Sequence, residues 1–312
     1  MGVSLATAEF LVEARLRGAD YTRTGTIGRQ ALFVGPHRVR RLLERHGLPT
    51  SGLGAAFEAA PGLLDPLLKG LGAEEVVAID ASAYEGADIV HDLNQPIPDE
   101  LHQRFTTLFD GGTLEHVFDV PTALRSYLQM VEVGGTLIIH TMANNYLGHG
   151  FYQFSPELFF RVLAPENGYE VERVVLMEND LLWTRILGVT APVELEGGWY
   201  EAVDPAKAGG RALLQTRRPV VVQVQARRVA DVPVLAKPPL QSDYVVQWDE
   251  EPAAAPQAPL RERVGTRFSV ERQLVAKWDV IPGIFRVLRP WRTRKEEQLR
   301  SFRNPDWFRR IR

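Results

Sequence analysis

Two histidines and a set of strand-end acids are the residues in this chain best suited to chemistry. His149 lies between Gly148 and Gly150, in the stretch Asn144-Asn145-Tyr146-Leu147-Gly148-His149-Gly150-Phe151-Tyr152. A histidine flanked by glycines is hard to explain by packing alone. Its unperturbed pKa lies near neutrality, which suits a general base, although a loop-holding hydrogen-bond role accounts for it equally well. His116 closes the run Asp110-Gly111-Gly112-Thr113-Leu114-Glu115-His116 and is a second candidate base, or a brace for that loop. Asn144, Asn145, Tyr146 and Tyr152 offer an amide-rich and aromatic surface able to bind a polar small molecule. Asp80 and Asp110 each end an apolar run, and Asp92 follows Ile89-Val90-His91. In an open α/β sheet, ligands bind outside the carboxyl ends of the strands, where such residues collect.

The elements that must position these groups are readable from pattern. Glu75 to Ser82 and Phe105 to Asp110 are short continuous apolar runs, as expected of buried parallel strands. Ile89-Val90, Thr136–His140 and Tyr169–Met177 read as further strands. Val220, Val222 and Val224 fall at alternate positions, which suits a last strand at a sheet edge. Helices are expected over residues 3–18, over Pro36–His46 with proline at its start and glycine after its end, and over Leu63–Leu71. Another is expected over Pro121–Val131, turned into the next strand by Gly134-Gly135, and one more follows the cap Ser155-Pro156-Glu157. Residues 47–62 are rich in Gly, Ala, Pro and Ser and read as a loop or lid.

Composition narrows the class. The chain has 312 residues, 45% of them apolar and 24% charged, ordinary for a globular protein. With no cysteine, disulfides, thiolate metal sites and a cysteine nucleophile are excluded. The histidines show no compact ligand spacing, so no metal is expected. A net charge of −3 gives no reason to expect a nucleic-acid partner. Glu9, Glu13, Arg15 and Arg17 interrupt the leading segment, so no signal peptide is expected, no apolar run is long enough to span a membrane, and a cytoplasmic location is the default.

Phe109-Asp110, then Leu114-Glu115-His116-Val117, then Gly134-Gly135 before an apolar strand, resemble the class I S-adenosylmethionine-dependent methyltransferases. The resemblance covers residues 22–230. It implies a Rossmann-like, doubly wound, mostly parallel seven-stranded sheet with an antiparallel last strand. It also implies S-adenosylmethionine as cofactor. Asp80 would accept from both ribose hydroxyls. Asp92, with the amide of Leu93, would meet the adenine. Gly111, Gly112 and Thr113 would face the methionine half. The family's Gly-x-Gly-x-Gly turn is replaced by Thr24-Gly25-Thr26-Ile27-Gly28-Arg29-Gln30. Gly28 is expected to make the close backbone approach there, with Arg29 reaching the methionine carboxylate or lying in solvent.

These readings divide the chain into a leading helix (1–20), the methyltransferase-like domain (21–232), a Pro/Ala-rich linker (233–260) and a basic, aromatic C-terminal appendage (261–312). The appendage would pack on the domain or on a sister subunit, or dock on a membrane surface or partner. The insertion 178–216 would complete a substrate pocket or a dimer contact. O-methylation of a carbohydrate or small-metabolite hydroxyl is the expected reaction. A methyltransferase-like scaffold without catalysis is the alternative, and a nicotinamide oxidoreductase is disfavoured by the missing glycine fingerprint.

Overall fold

A computed structural model describes residues 2–178, 180–186, 189–195, 197–208, 214–242 and 300–312, with the stretch 180–195 described by its backbone alone. Most of the 233–260 linker and of the 261–312 appendage lies outside the described residues. In chain order the elements are α1 (Leu5–Leu16), β1 (Arg23–Ile27), α2 (Pro36–Arg45), α3 (Leu53–Ala59), α4 (Asp65–Gly70), β2 (Glu75–Asp80), β3 (Ile89–Val90) and β4 (Phe105–Asp110). Then come α5 (Val120–Met130), β5 (Val131–Asn144), α6 (Pro156–Val162), β6 (Tyr169–Glu178), β7 (Asp180–Ile186), β8 (Val189–Leu195), β9 (Trp199–Ala202), β10 (Val220–Arg228) and β11 (Phe308–Arg310). Among the described residues no helix is long and apolar enough to cross a membrane.

The main sheet runs β11-β9-β6-β10-β5-β4-β1-β2-β3. Pairing from β5 to β3 is parallel, and β10 is antiparallel to both of its neighbours. The expected seven strands are all present. Two more, β9 and β11, extend the sheet to nine strands. β7 and β8 form a separate antiparallel pair.

The last strand, β10, is not an edge. It lies between β5 and β6, and nearly all of its residues are buried. Its alternation has another cause. Val220, Val222, Val224 and Ala226 enter one core layer. On the opposite face Gln223 and Gln225 lie beneath α1 rather than in water. Gln223 Nε2 donates to Thr7 Oγ1 at 3.4 Å, and Gln225 Oε1 accepts from Arg173 Nε at 3.0 Å. Arg173 also donates to Glu13 and to the Phe10 carbonyl, with its guanidinium 3.8 Å over the Phe10 ring. A buried arginine this fully paired anchors α1 across the middle of the sheet.

Other expectations shift for local reasons. Residues 47–62 contain the helix α3. The strand after Gly134-Gly135 begins earlier, at Val131, and runs through the glycines, with a register irregularity against β4. Gly135 is required there, because a β-carbon would lie 2.8 Å from the Thr106 carbonyl oxygen. Glu115 and His116 do not open a helix. They sit in a short 3-10 turn, Leu114–His116, and α5 starts at Val120 with Asp119 as its cap. The described end of the appendage is a strand, β11, paired with β9, and Phe302 stacks on Tyr200 with ring centroids 3.9 Å apart.

Candidate active site

The loop after β4 is organised by one buried carboxylate. Asp110 accepts the backbone amides of Gly112 (2.9 Å), Thr113 (2.7 Å) and Leu114 (3.1 Å), and the hydroxyl of Tyr127 (3.0 Å). Burial pushes its pKa up to about 6, against the pull of those four hydrogen bonds. The side chain is therefore committed to shaping the loop.

Glu115 follows on the next turn and is fully buried. Its Oε2 accepts from Thr141 Oγ1 at 2.7 Å, while Oε1 has no hydrogen-bond partner. Burial, and then the neighbouring Asp110 charge, push its pKa up to about 7. His149 Nε2 lies 3.8 Å from Glu115 Oε1, and the His116 and His149 ring centroids are 5.2 Å apart. Partial burial lowers the pKa of both histidines. Burial thus favours the protonated carboxyl at Glu115 and the neutral imidazole at His149. The loop carrying His149 is clamped to the turn carrying Glu115, because the Glu115 carbonyl accepts the amides of Phe151 (2.8 Å) and Tyr152 (3.3 Å).

On the other side of the β4 loop is the turn after β1. Gly28 has φ +74°, donates its amide to the Ile79 carbonyl at 2.6 Å, and has Asp80 and Thr113 close by. A β-carbon on Gly28 would lie 3.3 Å from Thr113 Oγ1 and 3.7 Å from Asp80 Oδ2, so the turn needs glycine both for its backbone and for the space. Asp80 stands at the tip of β2. Asp92 accepts the amide and side chain of Asn94, which hold its pKa down. The Leu93 side chain is buried in the core, which leaves only its backbone for a ligand.

Two features depart from expectation. Arg29 is not free for a ligand carboxylate, since it pairs with Asp88 at 3.2 Å and Asp65 at 3.7 Å. Gln30 is the residue that the sequence reading passed over. It is buried, donates through Nε2 to the Ile27 carbonyl, and presents a partnerless Oε1 to Gly111. A β-carbon on Gly111 would lie 2.3 Å from that oxygen. The site fits a cofactor of the expected kind on two counts. The Gly28 turn admits close backbone approach, and Gln30 Oε1 is a buried acceptor that a ligand ammonium would satisfy.

A cavity of about 1050 Å³ opens beyond Gly111 and Gly112. Its walls come from α1 (Thr7, Glu9), from His140, Met142, Tyr146 and His149, and from β9 and the chain end (Trp199, Tyr200, Arg310, Arg312). His140 is buried against Thr7, and burial lowers its pKa to about 4, so it stays neutral. Of the four expected acceptor-binding residues only Tyr146 lines this cavity. Asn144 and Asn145 donate instead to Thr216 and its neighbours. The Tyr152 hydroxyl donates to the Phe118 carbonyl at 2.9 Å. The side-chain donors of these three are taken up by neighbouring carbonyl and hydroxyl oxygens, which brace the loops.

No protein-family model matches the chain, and no curated protein matches it. Solved structures do. One, described as an S-adenosylmethionine-dependent methyltransferase and possible histamine N-methyltransferase from Thermotoga maritima, is 14% identical, with 71% of this chain and 87% of that one covered and a TM-score of 0.34. A Mesorhizobium loti S-adenosylmethionine-dependent methyltransferase is 15% identical, with 71% and 98% covered and a TM-score of 0.34. The 16S rRNA (adenine(1408)-N(1))-methyltransferase from Catenulisporales acidiphilia is 15% identical, with 72% and 94% covered and a TM-score of 0.34. At such scores none of these likenesses bears on activity. The parallel strands β3 to β5 and the antiparallel β10 are as the sequence resemblance implied, and the chain has a Rossmann-like, mostly parallel α/β fold.

Proposed function

We propose that this chain transfers a methyl group from S-adenosylmethionine to a hydroxyl of a carbohydrate or another small metabolite. The observation that carries this reading is the position of the Gly111–Thr113 loop. Thr113 meets the Gly28 turn on one side, its Oγ1 donating to the Ile27 carbonyl at 3.1 Å, while Gly111 and Gly112 line the cavity that contains His149. S-adenosylmethionine, when bound, supplies a methyl group activated on a sulfonium. Asp80 and Gly28 hold the ribose end, Asp92 and the Leu93 amide hold the adenine, and Gln30 Oε1 with the Gly111–Thr113 backbone holds the amino-acid end. Tyr146 and the cavity walls orient the acceptor, which for a displacement reaction is the larger part of catalysis. Neutral His149 takes the acceptor proton, a contribution of about 10²–10⁴ in rate.

One observation favours a second reading. Gln30 stands where a smaller residue would leave room, and it packs against Gly111. A non-catalytic binding protein with a methyltransferase fold would tolerate that filling. Incubation with S-adenosylmethionine and a panel of sugars and hydroxylated metabolites, read by release of S-adenosylhomocysteine, tests the first reading. Release that requires an acceptor supports it, and cofactor-binding protein that methylates none of the panel refutes the hydroxyl assignment.

A further inference from the structure

The cluster of Glu115, His116 and His149 has a feature that a base and its brace do not require. One donor atom from each of the three side chains lies within 4.8 Å of the others. Glu115 Oε1 is fully buried, has no hydrogen-bond partner, and is aimed at His149 Nε2 across 3.8 Å. That gap is too long for a hydrogen bond. An orphaned buried carboxylate oxygen is costly unless something pairs with it. Among the described residues no lysine or arginine forms an ion pair with Glu115. The other oxygen, Oε2, is held by Thr141, which fixes the carboxylate plane in the way outer hydrogen bonds orient metal ligands. The two segments are joined through backbone, by the Phe151 and Tyr152 amides on the Glu115 carbonyl. Gly150 makes that approach possible, since a β-carbon there would lie 2.7 Å from the same carbonyl oxygen. Both histidine rings are exposed, so a cation between them would keep open positions for solvent or substrate.

We propose that Glu115, His116 and His149 form a site for one first-row divalent cation at the edge of the acceptor cavity. Two imidazoles and one carboxylate suit Zn²⁺, Mn²⁺, Fe²⁺ or Co²⁺ rather than cations that prefer oxygen ligands only. Ligand–metal bonds of about 2.0–2.2 Å require the three side chains to draw together slightly, by rotamer adjustment at the exposed rings. With the cation bound, His149 is a ligand, and an acceptor hydroxyl on the metal loses its proton to solvent. The metal-free chain leaves that proton to His149. The proposal stands on the geometry of the cluster and does not require methyl transfer.

The test is titration of the full-length, chelator-treated protein with Co²⁺ alone, followed by visible absorption and calorimetry. One equivalent should bind and develop ligand-field bands. His149→Ala, on an exposed loop, should weaken binding at least tenfold, and Glu115→Gln likewise. His91→Ala, at a half-buried histidine outside the cluster that contacts the Gln95 carbonyl, should change nothing. Equal Co²⁺ binding by the wild type and His149→Ala, or none by either, overturns the site. Cofactor binding without Co²⁺ binding would remove the metal and leave methyl transfer standing. Co²⁺ binding without cofactor binding would do the reverse.

Discussion

Glu115 and His149 face each other across 3.8 Å from two different loops, one group fully buried and the other open to the cavity. Burial raises the acid and lowers the histidine, which favours a neutral imidazole at His149. His149→Ala should therefore reduce kcat by about 10²–10⁴ while leaving the Kd for S-adenosylmethionine within twofold. The wild-type rate should rise with pH through an apparent pKa below the ordinary histidine value, and the variant should lack that limb. Steady-state kinetics between pH 5 and 9 checks both points, and an unchanged rate in the variant would remove His149 from the chemistry.

Glu115 also makes stability depend on pH. Its folded pKa, about 7, lies above its ordinary value of 4.5. A raised acid stabilises the folded state fully below its unfolded pKa and loses that contribution as pH rises through the folded one. The wild type should thus weaken between about pH 4.5 and pH 7 on this account, and Glu115→Gln should not. The gap between them should widen by a few kcal/mol in favour of the variant by pH 8, as read by urea unfolding. His140 works in the opposite sense. Its depressed pKa, about 4, withdraws stability as pH falls below the ordinary histidine range, but equally in wild type and variant, so the difference between them still reports Glu115.

Tyr127→Phe removes one of the four hydrogen bonds on the buried Asp110 carboxylate. The expected cost is about 1–2 kcal/mol, with Asp110 titrating above its present value of about 6. Thermal unfolding measures the first quantity, and NMR titration of the carboxyl carbon the second. No loss of stability would mean that the β4 loop does not depend on this clamp.

Gln30→Leu keeps the volume beside Gly111 and removes the orphaned oxygen. If that oxygen receives the ammonium of the cofactor, binding should weaken about tenfold, the value of one hydrogen bond to a charged group. Tighter binding in the variant would show that Gln30 obstructs the site rather than serving it.

The parallel half of the fold was legible because buried parallel strands leave a plain signature. Phe105–Asp110 is a strand with the expected bounds, and the run expected over Glu75–Ser82 is a strand that ends at its acid, Asp80. The position of β10 was not legible, because Gln223 and Gln225 look solvent-facing until α1, more than two hundred positions away in sequence, is seen to cover them. Glu115 and His149 were legible as residues, but not as a pair, since only the fold brings the β4 turn against the loop after β5. The role of Gln30 was hidden because nothing in its neighbours' types shows that its amide turns inward. Asn144, Asn145 and Tyr152 look like binding residues from composition, yet their donors are spent on nearby carbonyl and hydroxyl oxygens. The arginines at the chain end reach the cavity only through the pairing of β11 with β9.

We propose that the turn after β1 still holds S-adenosylmethionine. Calorimetric titration of the full-length protein with S-adenosylmethionine and S-adenosylhomocysteine, beside Asp80→Ala, tests it most directly. Micromolar binding by the wild type, lost in a variant that remains folded by circular dichroism, is the predicted result. No binding of either ligand by folded wild-type protein would contradict the claim and leave the chain a methyltransferase fold serving as a binding protein.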